Sequence, residues 1–221
     1  MTCVNLSSYS LANSITPGND EIGTGTANER DVPLSYYYRY SYYGQFLNTT
    51  QLTNIPDGAS IYRIEWEYEI LTDKTYTRED SRLILFQVPS SNTRFSTSQQ
   101  QVNGYSGNDT TWNNSITNYV NVKNNFTYSL TKSSFEPNIR WRGTTLTTPY
   151  LFNKSNCLCV LFKSDDGNYD SNAQTYPRVL TTFGPNNYTV FGNRTDGSAY
   201  DEDSTVNYLL SDTPNIRIYY N

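Results

Sequence analysis

From Tyr62 to Ile70 the chain alternates without a break: Tyr62, Ile64, Trp66, Tyr68 and Ile70 are separated by Arg63, Glu65, Glu67 and Glu69. A period of two is the repeat of a β-strand with one apolar and one charged face, and no helix places these side chains on one side. Two further segments are nearly continuous apolar runs of strand length. One is Leu83-Ile84-Leu85-Phe86-Gln87-Val88, closed by Pro89; the other is Cys157-Leu158-Cys159-Val160-Leu161-Phe162. Such runs suit strands covered on both faces. Phe126, Tyr128 and Leu130 alternate again, Tyr188, Val190 and Phe191 form a shorter run before Gly192, and Ile216-Arg217-Ile218-Tyr219-Tyr220 ends the chain. No helical spacing of apolar residues is found. The predicted core includes Ile64, Trp66, Tyr68, Leu85, Phe86, Leu158, Val160 and Phe162.

Turn formers punctuate these runs: Pro56-Asp57-Gly58, Asn103-Gly104, Ser106-Gly107-Asn108-Asp109, Asp165-Asp166-Gly167-Asn168 and Thr195-Asp196-Gly197-Ser198. Gly and Asn supply positive φ, and Asp and Ser close side-chain turns. About eight to ten short strands joined in this way predict an all-β fold, an antiparallel β-sandwich or jelly roll. With no internal repeat and no linker, residues 21–221 read as a single domain. Residues 1–20 are polar and read as an extended N-terminal arm, whose Val4-Asn5-Leu6 could add to the sheet edge of a neighbouring subunit.

The composition supports a folded chain of modest apolar content. Hydrophobic residues make up 36% and charged residues 17%, yet aromatics reach 15%, with 21 Tyr, and the formal net charge is -5. Disorder couples low hydrophobicity to high net charge and few aromatics, which is not the case here. The 16 basic residues are scattered singly, which argues against nucleic acid, since phosphate binding needs clustered cations. No apolar stretch approaches the roughly 20 residues needed to span a bilayer. Residues 1–20 hold no basic region followed by an apolar run, which predicts a chain made in a cytoplasm and not exported by a signal-dependent route.

Cys3, Cys157 and Cys159 make a poor disulfide framework. Cys157 and Cys159 fall on one face of one strand, where a mutual bridge fits badly. A thiolate metal site would need more ligands, and the chain has no His. Both read as small buried hydrophobes.

Three segments together resemble a β-sandwich domain known from surface proteins of Bacteroidota bacteria and from their tailed phages, crAss-like phages among them. The first is Glu21-Ile22-Gly23-Thr24-Gly25-Thr26 with Pro33-Leu34 and the Tyr-rich run ending Ser41-Tyr42-Tyr43-Gly44-Gln45. The second is Thr144-Thr145-Leu146-Thr147-Thr148-Pro149-Tyr150-Leu151-Phe152-Asn153 leading into Ser155-Asn156-Cys157-Leu158-Cys159-Val160. The third is Pro214-Asn215-Ile216-Arg217-Ile218. The middle segment resembles the family's hairpin entering a Ser-Asn-Leu-x-Val strand; here that strand reads Cys-Leu-Cys-Val. The bacterial copies sit in long secreted chains with a signal and a sorting tail, so the resemblance points to the phage branch. It implies a sandwich fold and a location outside the cell, and carries no catalytic residues.

The residues offer little chemistry. The commonest general base, His, is absent, and Glu65, Glu67 and Glu69 read as the solvated side of a strand. Glycoside cleavage needs two carboxyl groups about 5–9.5 Å apart across a cleft, and nothing in the sequence pairs them. Asp165, Asp166, Asn168 and Asp170 crowd around Gly167 and are candidate calcium ligands, with Asp201, Glu202 and Asp203 as a second acidic cluster; the same residues also make an ordinary turn. No other cofactor is expected. Tyr36, Tyr38, Tyr40 and Tyr42 are a candidate binding surface, because on a strand they face one side, with Tyr37 and Tyr43 on the other. The alternative is one Tyr face in the core and one at the rim. Eight Asn-x-Ser/Thr sequons occur, as expected by chance in a chain so rich in these residues.

The sequence therefore predicts a non-enzymatic virion structural protein: a head fibre, capsid decoration or tail component, made in the host cytoplasm and carried in multiple copies or as a homo-oligomer. Its partners would be other virion proteins and host surface glycan, with no nucleic acid and no membrane. The alternatives are an extracellular carbohydrate-binding or adhesive module on a bacterial cell surface, and a glycan-cleaving tail protein.

Overall fold

The computed structural model describes residues 15–29, 32–91, 116–168, 176–183, 190–198, 208–210 and 212–221. Within them the chain is all β, in thirteen strands and two antiparallel sheets. The expected arm contacts of residues 1–14, Cys3, Asp170, Tyr188, the turns at 103–109 and the acidic cluster 201–203 lie outside the described residues.

One sheet has seven strands. Its spine is β4 (Ser60–Glu69), the alternating segment of the sequence. Along one edge β4 pairs with β7 (Ile139–Leu151); along the other it pairs with β13 (Ile216–Tyr220) and, at Tyr68 and Glu69, with β9 (Arg178–Thr182). β1 (Gly18–Ile22) adds beyond β13, so the last residues of the expected arm belong to the sheet. β2 (Ala27–Glu29) and β12 (Thr213–Pro214) pair with β9. The other sheet has six strands in the order β11 (Tyr208–Leu210), β10 (Val190–Thr195), β3 (Tyr40–Leu47), β8 (Asn156–Ser164), β5 (Thr75–Pro89) and β6 (Thr117–Thr131). β7 and β8 are joined by a turn at 152–155 and lie in different sheets, so this connection crosses the sandwich instead of forming a hairpin.

The predicted core holds: Ile64, Trp66, Tyr68, Leu85, Phe86, Leu158, Val160 and Phe162 are all buried. Trp66 stacks on Phe162 with ring centroids 5.6 Å apart, and Phe162 also meets Phe126 and Tyr128. The two continuous apolar runs are buried on both faces, as their pattern requires. Leu83, Leu85, Leu158, Val160 and Phe162 join the cluster between the sheets. Ile84, Phe86, Cys157, Cys159 and Leu161 join Tyr42, Phe46, Val88 and Phe191 in a second cluster on the opposite face of the six-stranded sheet.

One inward position moves. Tyr62 is half-buried, and Ile61 takes its place in the core. The cause is a β-bulge: Tyr219 pairs with Arg63 but Tyr220 with Ile61, leaving Tyr62 as the extra residue.

Between β3 and β10, two glycines face two rings. Gly44 pairs with Phe191 and Gly192 with Tyr43. A Cβ on Gly44 would lie 2.0 Å from the Phe191 ring, and one on Gly192 2.3 Å from the Tyr43 ring. Each ring occupies the space that a Cβ on the opposing glycine would take, which covers backbone that would otherwise be bare.

Candidate functional site

The Tyr-rich segment divides. Residues 36–39 are bends, and strand β3 begins at Tyr40, so the single-face geometry expected of Tyr36, Tyr38, Tyr40 and Tyr42 does not form. Tyr36 and Tyr42 are fully buried, while Tyr38 and Tyr40 are half-buried. Tyr43, expected opposite Tyr42, is buried as well, because β3 is an inner strand covered on both faces. Tyr37, outside the expected surface, is 43% exposed.

The acidic turn is held by protein cations. Lys163 Nζ lies 2.9 Å from Asp165 Oδ2, and Arg78 Nη1 lies 3.3 Å from Asp166 Oδ2. Asn168 donates from Nδ2 to Asp166 Oδ1 at 2.8 Å. Arg78 is the hub: its Nε donates to the Ser35 carbonyl at 3.0 Å, Nη2 to the Tyr38 carbonyl at 3.0 Å, and Nη1 to the Asn168 carbonyl. Its guanidinium also stands 5.4 Å from the centre of the Tyr36 ring. It thus ties the Tyr-rich bend to the turn at Gly167, and the carboxylates nominated for calcium here neutralise Lys163 and Arg78. Among the described residues, no group of three or more His, Cys, Asp or Glu side chains is arranged to hold a metal ion.

The outer face of the seven-stranded sheet is a knit layer of charge and aromatic rings. Glu65, expected to be solvated, is buried. Arg63 Nη2 meets its Oε1 at 2.6 Å, and Tyr219 Oη and Arg217 Nη1 donate to Oε2 at 2.9 and 3.3 Å. Burial acts to raise the Glu65 pKa, but the hydrogen bonds from Arg63 and Tyr219 and the two arginine charges outweigh it and hold it below its usual value. Arg217 also covers Trp141, 4.2 Å from the ring centre.

A cleft of about 410 Å³ opens beside β1, between the turn at 48–54 and the end of β9. Its wall is built by a reciprocal pair. Asn48 Oδ1 accepts from the backbone N–H of Thr50 and Gln51 at 3.0 and 3.1 Å, and Gln51 Oε1 accepts from the N–H of Asn48 at 3.0 Å. This is the reciprocity of a capping box, set in a turn. With the oxygens fixed by three N–H donors, each side-chain nitrogen is identified, and neither donates to any described group. Across the cleft, Asn54 Nδ2 donates to Asp20 Oδ1 at 2.9 Å. Asp20 is buried, its Oδ2 has no hydrogen-bond partner, and burial raises its pKa above the ordinary value, with Asn54 opposing and Glu21 adding to the shift. Phe183, next after β9, lines the cleft with 68% of its surface in solvent. Thr182 anchors the strand behind it, accepting from the N–H groups of Thr24 and Gly25 and donating to Asn215.

Compared with known proteins, the chain matches no family model, no curated protein and no solved structure. Its site must be read from its own residues. Sequence reasoning alone does not single out Arg78, a lone cation in a strand, or the cleft. The Asn48-x-x-Gln51 spacing is the available signal for the turn; Phe183 carries none.

Proposed function

We propose that the chain is a non-enzymatic structural protein of a virus particle, a head fibre, capsid decoration or tail component, acting by contact with other particle proteins and with host surface glycan. The observation that carries this reading is the turn between β6 and β7. Phe135 at its tip is 98% exposed. The turn is braced by its own side chains: Glu136 Oε2 accepts from the backbone N–H of Ser133 at 2.9 Å and meets Arg140 at 2.5 Å, while Oε1 meets Arg142 at 3.0 Å. Leu71 and Ile139 are exposed next to Ile70 and Asn138, which a 2.8 Å backbone hydrogen bond joins. A solvated phenyl ring on a preordered turn is suited to anchor an interface, since little ordering entropy is lost when a partner covers it.

The particle assignment is supported by the order of the three sequence segments that resemble the phage sandwich domain. Mass spectrometry of purified particles should find the chain in multiple copies, and Phe135→Ser should lower its occupancy while leaving the isolated chain as stable as before. Absence from purified particles would refute the assignment.

A further inference from the structure

The cleft beside β1 combines three features that converge on one ligand chemistry. The amide nitrogens of Asn48 and Gln51 present hydrogen-bond donors whose orientation is fixed because their oxygens are held by backbone N–H groups. The carboxyl of Asp20, steadied by Asn54, is an acceptor in the same cleft. Phe183 places an open ring at the rim.

We propose that this cleft binds the neutral pyranose ring of a saccharide. A pyranose has hydroxyl groups that both donate and accept, matching a lining of amide nitrogens and a carboxyl. It also has a face of C–H bonds, which complements the negative face of an aromatic ring. The volume of about 410 Å³ falls in the range of small-molecule sites, about 300–1,000 Å³. Charge narrows the choice. Among the described residues lining the cleft are two acids, Asp20 and Glu21, and neither Lys nor Arg, so an anion finds no cation to pair with. A cation finds Glu21 already paired with Arg217 at 2.5 Å and one oxygen of Asp20 already accepting from Asn54.

This inference rests on the glycan half of the function proposed above and gives it an address. The test is saturation-transfer NMR on the full chain with methyl glycosides of glucose, galactose, mannose and N-acetylglucosamine, with glucuronate as the charged control. At least one neutral glycoside should bind and glucuronate should bind more weakly. Phe183→Ala and Gln51→Glu should each weaken binding by about tenfold or more. Phe183 is largely exposed, and glutamate keeps the oxygen that accepts from Asn48 while losing the donor, so the thermal midpoint should not move. Failure of all four neutral glycosides at ~10 mM, or binding that persists in the double variant, overturns the proposal. A chain that binds sugar but is missing from particles would overturn the particle assignment and leave the cleft standing.

Discussion

The indole Nε1 of Trp66 on β4 donates to Oε1 of Gln45 on β3 at 3.2 Å, so a hydrogen bond joins the two sheets inside the apolar core. The Nε2 of Gln45 continues the link, donating to the Pro214 carbonyl at 2.7 Å. Apolar contact alone lets two sheets slide; a buried donor with one acceptor fixes where they sit.

Trp66→Ala should destabilise the fold by about 3–5 kcal/mol, the usual cost of truncating a large buried aromatic. Trp66→Phe should cost about 1–3 kcal/mol, because Gln45 Oε1 is left buried without its donor. Urea denaturation at constant slope measures both. A midpoint equal to that of the parent for Trp66→Ala would contradict the burial of the ring.

Arg78→Met should destabilise by about 3–5 kcal/mol, since it strands the buried Asp166 carboxylate together with three backbone carbonyls. Arg78→Lys should recover part of this loss, because one ammonium replaces the charge but cannot span the same set of acceptors. A loss below about 1 kcal/mol for the methionine variant, the level of an exposed pair, would show that the hub does not hold the bend and the turn together.

The Glu136 carboxyl is held down to about 2 by the Ser133 N–H, then by Arg140 and Arg142. Its folded pKa lies below its unfolded value, so the clamp is complete above the ordinary carboxylate range and is lost as pH falls through about 2. Carboxyl NMR titration should place Glu136 near that value, and Arg140→Gln should raise it. Titration of the parent at the ordinary glutamate value would mean that the turn is loose, and would remove the support for Phe135 as an anchor.

Burial raises the thiol pKa of Cys157 and, more strongly, of Cys159, where the neighbouring Cys157 adds to the effect. Both should resist maleimide in the folded chain and react once denaturant is added, as peptide mapping would show. Rapid modification of either under native conditions would place the second apolar cluster in contact with solvent.

The strands that form the centre of each sheet are legible because their burial is simple. β4 has one apolar face and alternates; residues 83–88 of β5 and 157–162 of β8 are covered on both faces and run almost wholly apolar. Tyr40–Leu47 is equally buried yet reads ambiguously, since tyrosine serves core and rim alike and its number gives no face. Alternation alone misplaces Tyr62, because a bulge adds one residue without a sequence mark. The cleft is least legible: its parts come from residues 20, 48–54 and 183, distant in the chain and joined through the pairing of β1 with β13, the pairing of β9 with β12 and the hydrogen bond from Asn54 to Asp20.

The ring-over-glycine pairs between β3 and β10 act as a checksum on alignment. In the native register Phe191 meets Gly44 and Tyr43 meets Gly192. A slip of one residue in one direction opposes Phe191 to Tyr43, ring against ring; a slip the other way opposes Gly192 to Gly44 and leaves bare backbone. Either error also turns one strand's side chains to the wrong face. The two small residues are thus the means by which this strand pair distinguishes its correct alignment from both nearest mistakes.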